Sequence, residues 1–243
     1  MKYSTLRYPG GKTRAVKQLS ELLPKVSKVI APFFGGGSFE NYLASTGVNV
    51  TGFDVYEPLV YYWQAMKNDK ARLIEIVKSY HPISKKEFYN LQKTILVETD
   101  RTTIGAMYYV LNRSSFNGVG LSGGMAPNHP RFNEKQITEL KSFELLIDVE
   151  VLCFSESLKN DGFVFADPPY IIKSKLYGTK GSTHKGFDHQ KLAKILKGRK
   201  DFLLTYNNCE EVKDLYSGCK FQYPNWKYGM SNDKDSKEIV ITI

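Results

Sequence analysis

The sequence predicts an α/β fold, a mixed, mostly parallel sheet of the nucleotide-binding kind interrupted by an inserted helical domain. Two observations carry this. Residues 26–54 run strand, glycine loop, helix, strand, acid, which is the first half of a nucleotide-binding sheet, and a rhythm of short strands and helices resumes after residue 148. From about Glu57 to Asp148, helical patterns dominate and no β/α alternation is visible. The chain therefore divides into residues 1–56 with 148–243 as one domain, and residues 57–147 as an insert.

Each element has its own pattern. Val26–Phe34 (V-S-K-V-I-A-P-F-F) reads as a strand and runs directly into Gly35-Gly36-Gly37-Ser38. Phe39–Ala44 is helical, with Phe39, Tyr42 and Leu43 on one face, and Val48–Phe53 is a strand ending at Asp54. In the insert, Leu59–Met66, Lys70–Ser79, Lys85–Val97 and Ile104–Asn112 are helical, and residues 114–133 are rich in Gly, Ser, Asn and Pro. Val149–Phe154 and Gly162–Ala166 are strands, the second ending in Asp167-Pro168-Pro169-Tyr170. A basic loop over 171–187 carries Lys173, Lys175, Lys180 and Lys185. His189–Leu196 and Glu210–Tyr216 are helices; Phe202–Tyr206, Lys220–Tyr223 and Glu238–Ile243 are strands.

Composition narrows the function. A chain of 243 residues that is 42% hydrophobic and 13% aromatic has material for a full core and is unlike a disordered protein. A net charge of +9 favours a polyanionic partner, with nucleic acid the leading candidate. Cys153, Cys209 and Cys219 are odd in number and lack C-x-x-C spacing, and the four histidines share no ligand spacing. No metal site is expected. With no apolar leader and no run of membrane-spanning length, the default expectation is a soluble protein of a reducing, cytoplasmic compartment.

Three segments carry chemistry. The Asp167–Tyr170 tip combines a carboxylate that can accept hydrogen bonds from an amine, two prolines that leave a carbonyl without a competing N–H, and a ring that can stack on a flat ligand. A proline-stiffened turn has the same appearance; an exocyclic amine on an extrahelical nucleobase is the sharper reading. The Gly35–Gly37 loop allows close backbone approach, and Asp54 can accept ribose hydroxyls. G-G-G-S lacks both the dinucleotide spacing and a G-K-[ST] phosphate loop, so a nucleoside without phosphates fits best, and S-adenosylmethionine is such a ligand. In Arg7-Tyr8-Pro9-Gly10-Gly11-Lys12, a cation on a tight turn can bind a carboxylate tail and a tyrosine can cover an adenine.

These segments, in this order, resemble the Dam-type family of DNA adenine-N6 methyltransferases over nearly the whole chain. Arg7–Lys12 matches that family's opening motif, Pro32–Ser38 its glycine loop, Asp54 its ribose acid and Asp167–Tyr170 its catalytic motif. Leu111-Asn112-Arg113 with Phe116-Asn117-Gly118 resembles its recognition hairpin, Thr205–Glu210 a later strand-to-helix segment and Lys237–Thr242 its final strand. The resemblance implies a Rossmann-like class I S-adenosylmethionine-dependent methyltransferase sheet with an inserted target-recognition domain. It implies a cofactor site at Tyr8, Lys12, Phe34, Gly35, Gly37, Asp54 and Asp167, and an adenine held by Asp167, Pro168 and Tyr170. Arg113, Phe116 and Asn117 would meet DNA, joined by Lys173 and Lys175 of the basic loop, which also reads as a solvated loop. The expected substrate is double-stranded DNA, with a cognate restriction endonuclease as a candidate partner, no membrane, and a monomer or weak dimer of bacterial, phage or viral origin. N4-cytosine or RNA adenine methylation is the alternative chemistry, and a catalytically silent DNA-binding module the alternative class. One position departs from the pattern: many relatives carry a base-reading arginine where this chain has Leu121, so a GATC specificity does not follow.

Overall fold

The computed structural model describes residues 2–126, 131–171, 186–199, 201–226 and 237–243. Among these, seven strands form one sheet: β1 (Lys28–Ala31), β2 (Asn49–Asp54), β3 (Asp148–Val151), β4 (Phe163–Ala166), β5 (Phe202–Asn207), β6 (Lys220–Gln222) and β7 (Glu238–Thr242). Their order is β3-β2-β1-β4-β5-β7-β6. The first five are parallel to one another, while β7 runs antiparallel to both β5 and β6. The central strands are short apolar runs such as Phe163-Val164-Phe165-Ala166, as expected where both faces are covered.

Chain order reverses between β1 and β4, and in such sheets ligands bind beyond the carboxyl ends of the strands at the reversal. The segments expected to carry chemistry follow β1, β2 and β4 and so emerge on this edge. Because β7 runs the other way, its first residue, Glu238, lies on the same edge, paired with Asn207 at the end of β5.

The helices are α1 (Val16–Leu22), α2 (Ser38–Ser45), α3 (Glu57–Asn68), α4 (Lys70–Ser79), α5 (Lys85–Thr94), α6 (Arg101–Ser114), α7 (Glu134–Ser142), α8 (Phe154–Ser157), α9 (His189–Arg199) and α10 (Glu210–Leu215). Helix α5 opens on a capping box formed by Ser84 and Glu87. It stops before the expected Val97, leaving Leu96 and Val97 exposed. Helices α1, α7 and α8 were not anticipated. Asn133 caps α7 by accepting from the Gln136 N–H, a signal present in the sequence. The strand expected to reach Phe154 ends at Val151, because Phe154 opens α8.

Helix α3 packs on β2 and β3 and also crosses α6. One apolar cluster accordingly joins Trp63, Tyr62, Tyr109 and Phe88 of the helical region to Val29, Phe165 and Val240 of the sheet. A second cluster lies under α9 and α10, around Leu192, Tyr206, Tyr216 and Ile241. No helix among the described residues is long and apolar enough to cross a membrane.

Candidate active site

A cavity of about 590 Å³ opens at the carboxyl edge of the sheet, lined by residues of the N-terminal turn, the glycine loop, Asp54–Tyr56, Leu152–Ser155, Asp167 and Phe187. Its floor is the turn between β1 and α2. Gly35 has φ +48°, and a Cβ there would lie 2.8 Å from the Tyr8 ring, so the loop and the N-terminal turn touch only because this residue is glycine. Trp63 holds the loop from below, donating its indole N–H to the Gly35 carbonyl at 3.0 Å.

Asp54 closes one end of the cavity. Its carboxylate accepts from the backbone N–H of Gly35 and of Tyr56, both at 3.0 Å. Burial raises its pKa, and the N–H groups of Tyr56, Gly35 and Val55 oppose that shift. Phe33, Phe154 and Phe187 form an aromatic wall with ring centres 5.2–5.8 Å apart.

At the other end, residues distant in sequence converge on Lys12. Its ammonium lies 2.7 and 2.8 Å from the two Asp167 oxygens, 2.8 Å from the Gly10 carbonyl and 3.1 Å from the Tyr170 hydroxyl. Glu238 Oε1 is 3.3 Å away. Thr205 of β5 donates its hydroxyl to Asp167 Oδ1 at 2.7 Å, and the Tyr170 hydroxyl donates to Glu238 Oε1 and lies 3.2 Å from Asp167 Oδ1. Trp226 donates its indole N–H to Glu238 Oε2 at 2.8 Å. Burial raises the Glu238 pKa; the Lys12 charge opposes this and the Asp167 charge adds to it. Glu40, on the first turn of α2, also lines the cavity. Burial lifts its pKa to about 8, opposed by backbone N–H groups and Lys12 and reinforced by Asp167.

The structure thus brings Tyr8, Lys12, Gly35, Gly37, Asp54 and Asp167 to one cavity, with Tyr170 hydrogen-bonded to Lys12 at its edge. Phe34 contributes to the lining but is 2% exposed, and its ring is packed edge-on against Trp63. Pro168 is buried behind the tip. Glu238, Glu40, Thr205, Trp226 and the aromatic wall had not been anticipated.

The DNA-side residues are divided. Phe116 is 61% exposed, and Asn117 beside it has φ +54°. These two sit in a short 3-10 turn (Phe116–Gly118), and an isolated bridge between Ser115 and Met125 closes the loop where a recognition hairpin was expected. Arg113 does not meet the expectation of a DNA contact: it is buried on the inner face of α6, and its guanidinium donates to the carbonyls of Arg131 and Thr5. Leu121 is half-buried against the core, so no cation stands at that position. Lys173 and Lys175 lie outside the described residues, as do Lys180 and Lys185. Among the described residues, no group of three His, Cys, Asp or Glu is placed to hold a metal ion.

Comparison with known proteins bears on this geometry. The type II methyltransferase M.MjaIII of Methanocaldococcus jannaschii is 29% identical over 255 aligned residues, covering 88% of this chain and 87% of that protein. M.CviBI, a type II methyltransferase of Paramecium bursaria Chlorella virus NC1A, is 24% identical, covering 88% of this chain and 86% of its own. The Retron Ec67 DNA adenine methylase of Escherichia coli is 24% identical, covering 97% and 89%. The model of the D12 class N6 adenine-specific DNA methyltransferases matches residues 8–231, a span that begins at the tyrosine over the glycine loop and takes in Lys12, Asp54 and the Asp167–Tyr170 tip. On that span the chain belongs to the D12 class N6 adenine-specific DNA methyltransferase family.

Proposed function

We propose that this chain methylates the N6 amine of an adenine turned out of duplex DNA, with the base held at Asp167–Tyr170 and S-adenosylmethionine in the adjoining cavity. The observation that carries this is the meeting of Lys12, Asp167 and Tyr170 at one end of a cavity whose other end is Asp54. The residues present suit that cofactor. A carboxylate has about four acceptor sites. Two on Asp54 are taken by backbone N–H groups, which fix its orientation and leave acceptor capacity for a ribose. Tyr8 over Gly35, the Gly37 turn and Phe34 beneath it shape the floor, and the phenylalanine wall suits a purine face. When bound, S-adenosylmethionine supplies an electrophilic methyl group.

The chain's own residues would prepare the nucleophile. The N6 lone pair of adenine is delocalised into the ring. Donation of the N6 protons to the Asp167 carboxylate and the Pro168 carbonyl favours a pyramidal nitrogen and frees that lone pair. Fixing the amine at the mouth of the cofactor cavity supplies proximity, which accounts for a large share of the acceleration in such transfers. Tyr170 stacks on the base, at ~1–3 kcal/mol. Phe116, exposed on the turn that follows α6, would enter the space the base leaves, with Asn117 beside it. The net charge of +9 supports a polyanionic substrate.

The test is transfer of a labelled methyl group to DNA and to RNA, followed by nucleoside analysis. N6-methyladenine in DNA is expected; N4-methylcytosine or labelled RNA as the main product overturns the reading. Asp167→Ala should abolish turnover while DNA binding persists. The type II designation of M.MjaIII and M.CviBI extends to this chain as a further proposal: a modification enzyme paired with a cognate endonuclease, acting as a monomer or weak dimer in the cytoplasm.

A further inference from the structure

An adenine amine must compete for Asp167 with the Lys12 ammonium, which lies 2.7 and 2.8 Å from its two oxygens, and Oδ1 is further occupied by Thr205. Lys12 is 4% exposed at its side chain, so water does not surround the charge, and an ammonium stripped of its partner there is strongly destabilising. When Asp167 turns to the substrate, Lys12 needs a second anion within reach.

We propose that Glu238 is that second seat, a positioning residue that draws Lys12 away from Asp167 as the adenine amine arrives. The inference rests on the proposed role of Asp167 as the amine's acceptor. Glu238 is already within 3.3 Å of the ammonium, so a shift of well under a bond length exchanges the longer pair for the shorter. Its carboxylate is held on both oxygens. Oε2 is fixed by the Trp226 indole at 2.8 Å, Oε1 takes the Tyr170 hydroxyl, and the side chain is 2% exposed. Asp167 is the more open of the two, with a side chain 19% exposed towards the cavity. The Gly10 carbonyl, 2.8 Å from Lys12, acts as a pivot that serves the ammonium in either position. The same glutamate holds the Tyr170 hydroxyl, so the carboxylate that receives the lysine also sets the ring on which the base stacks.

Glu238→Gln separates this role from a structural one. The amide keeps an acceptor for Trp226 and nearly the same volume but loses the charge that attracts Lys12. Lys12 then stays on Asp167 and competes with the adenine. The expected result is a kcat lowered about tenfold or more, with cofactor affinity, DNA affinity and melting temperature close to wild type and the Trp226 indole N–H resonance retained. A variant that turns over within about twofold of wild type overturns the proposal, as does a parallel loss of stability, both affinities and that resonance. A ternary complex with demethylated cofactor and target DNA gives a second measurement: Lys12 nearer Glu238 than Asp167 supports the exchange, and Lys12 still on both Asp167 oxygens refutes it. Failure of the wild-type protein to form N6-methyladenine would instead strike the functional reading beneath.

Discussion

Asn112→Ala is expected to destabilise the protein by about 3 kcal/mol, at roughly 1 kcal/mol for each of the three backbone hydrogen bonds its amide makes. Asn112 is fully buried on α6 and ties two loops together. Its Oδ1 accepts from the Arg7 N–H at 2.9 Å, and its Nδ2 donates to the carbonyls of Arg7 and Gly118, each at 2.8 Å. The Gly118 bond is buried and the Arg7 bonds are partly buried, so the first contributes more than its share. For a chain of this size the loss corresponds to about 6–12 °C in melting temperature. Urea unfolding at constant m-value is the assay. Arg7 leads into the Tyr8–Lys12 turn that lines the cavity, and Gly118 closes the turn that presents Phe116, so the clamp joins those two turns. A Cβ at Gly118 would lie 2.0 Å from the Arg7 carbonyl oxygen, which shows how closely the two loops are drawn together. The variant should therefore lose DNA affinity and base extrusion, followed with a 2-aminopurine duplex, more than it loses stability in the sheet. A destabilisation below about 1 kcal/mol, or unchanged extrusion in the folded variant, would refute the clamp.

Glu40→Gln should flatten the pH dependence of stability. The folded-state pKa of about 8 lies above the usual carboxyl value of 4.5, so the folded protein holds a proton that the unfolded chain releases. Stability from this group is complete below about pH 4.5 and is lost as the pH rises towards 8, at up to about 1.4 kcal/mol per pH unit. Urea midpoints measured from pH 5 to pH 8 check this, and an equal slope in wild type and variant would rule it out. Phe116→Ala, at a ring 61% exposed, should leave the unfolding free energy within about 0.5 kcal/mol while weakening base extrusion roughly tenfold. Unchanged 2-aminopurine fluorescence would remove Phe116 from the DNA side.

What the sequence disclosed was whatever is written locally. The glycine loop, Asp54 and the Asp167–Tyr170 tip each follow a strand directly, so a strand pattern with a distinctive ending located them at the carboxyl edge. Arg113 enters only through the resemblance of Leu111-Asn112-Arg113 to a recognition hairpin; its burial depends on carbonyls of Thr5 and Arg131, which sequence separation hides. Glu40 falls inside a helix pattern whose apolar face is marked by Phe39 and Leu43, and its own burial comes from the turn of α2 facing the cavity. Glu238 was hidden by topology. Its segment reads as a final strand, and only an antiparallel insertion between β5 and β6 turns a strand's first residue towards the site.

That reversed strand also ties the site to the deep core. β7 lies between β5 and β6, and Ile239, Val240 and Ile241 directly after Glu238 are fully buried. The position of a carboxylate 3.3 Å from Lys12 is therefore set by apolar packing far behind the cavity, and a core substitution under β7 would be felt at the site before it was felt in the fold.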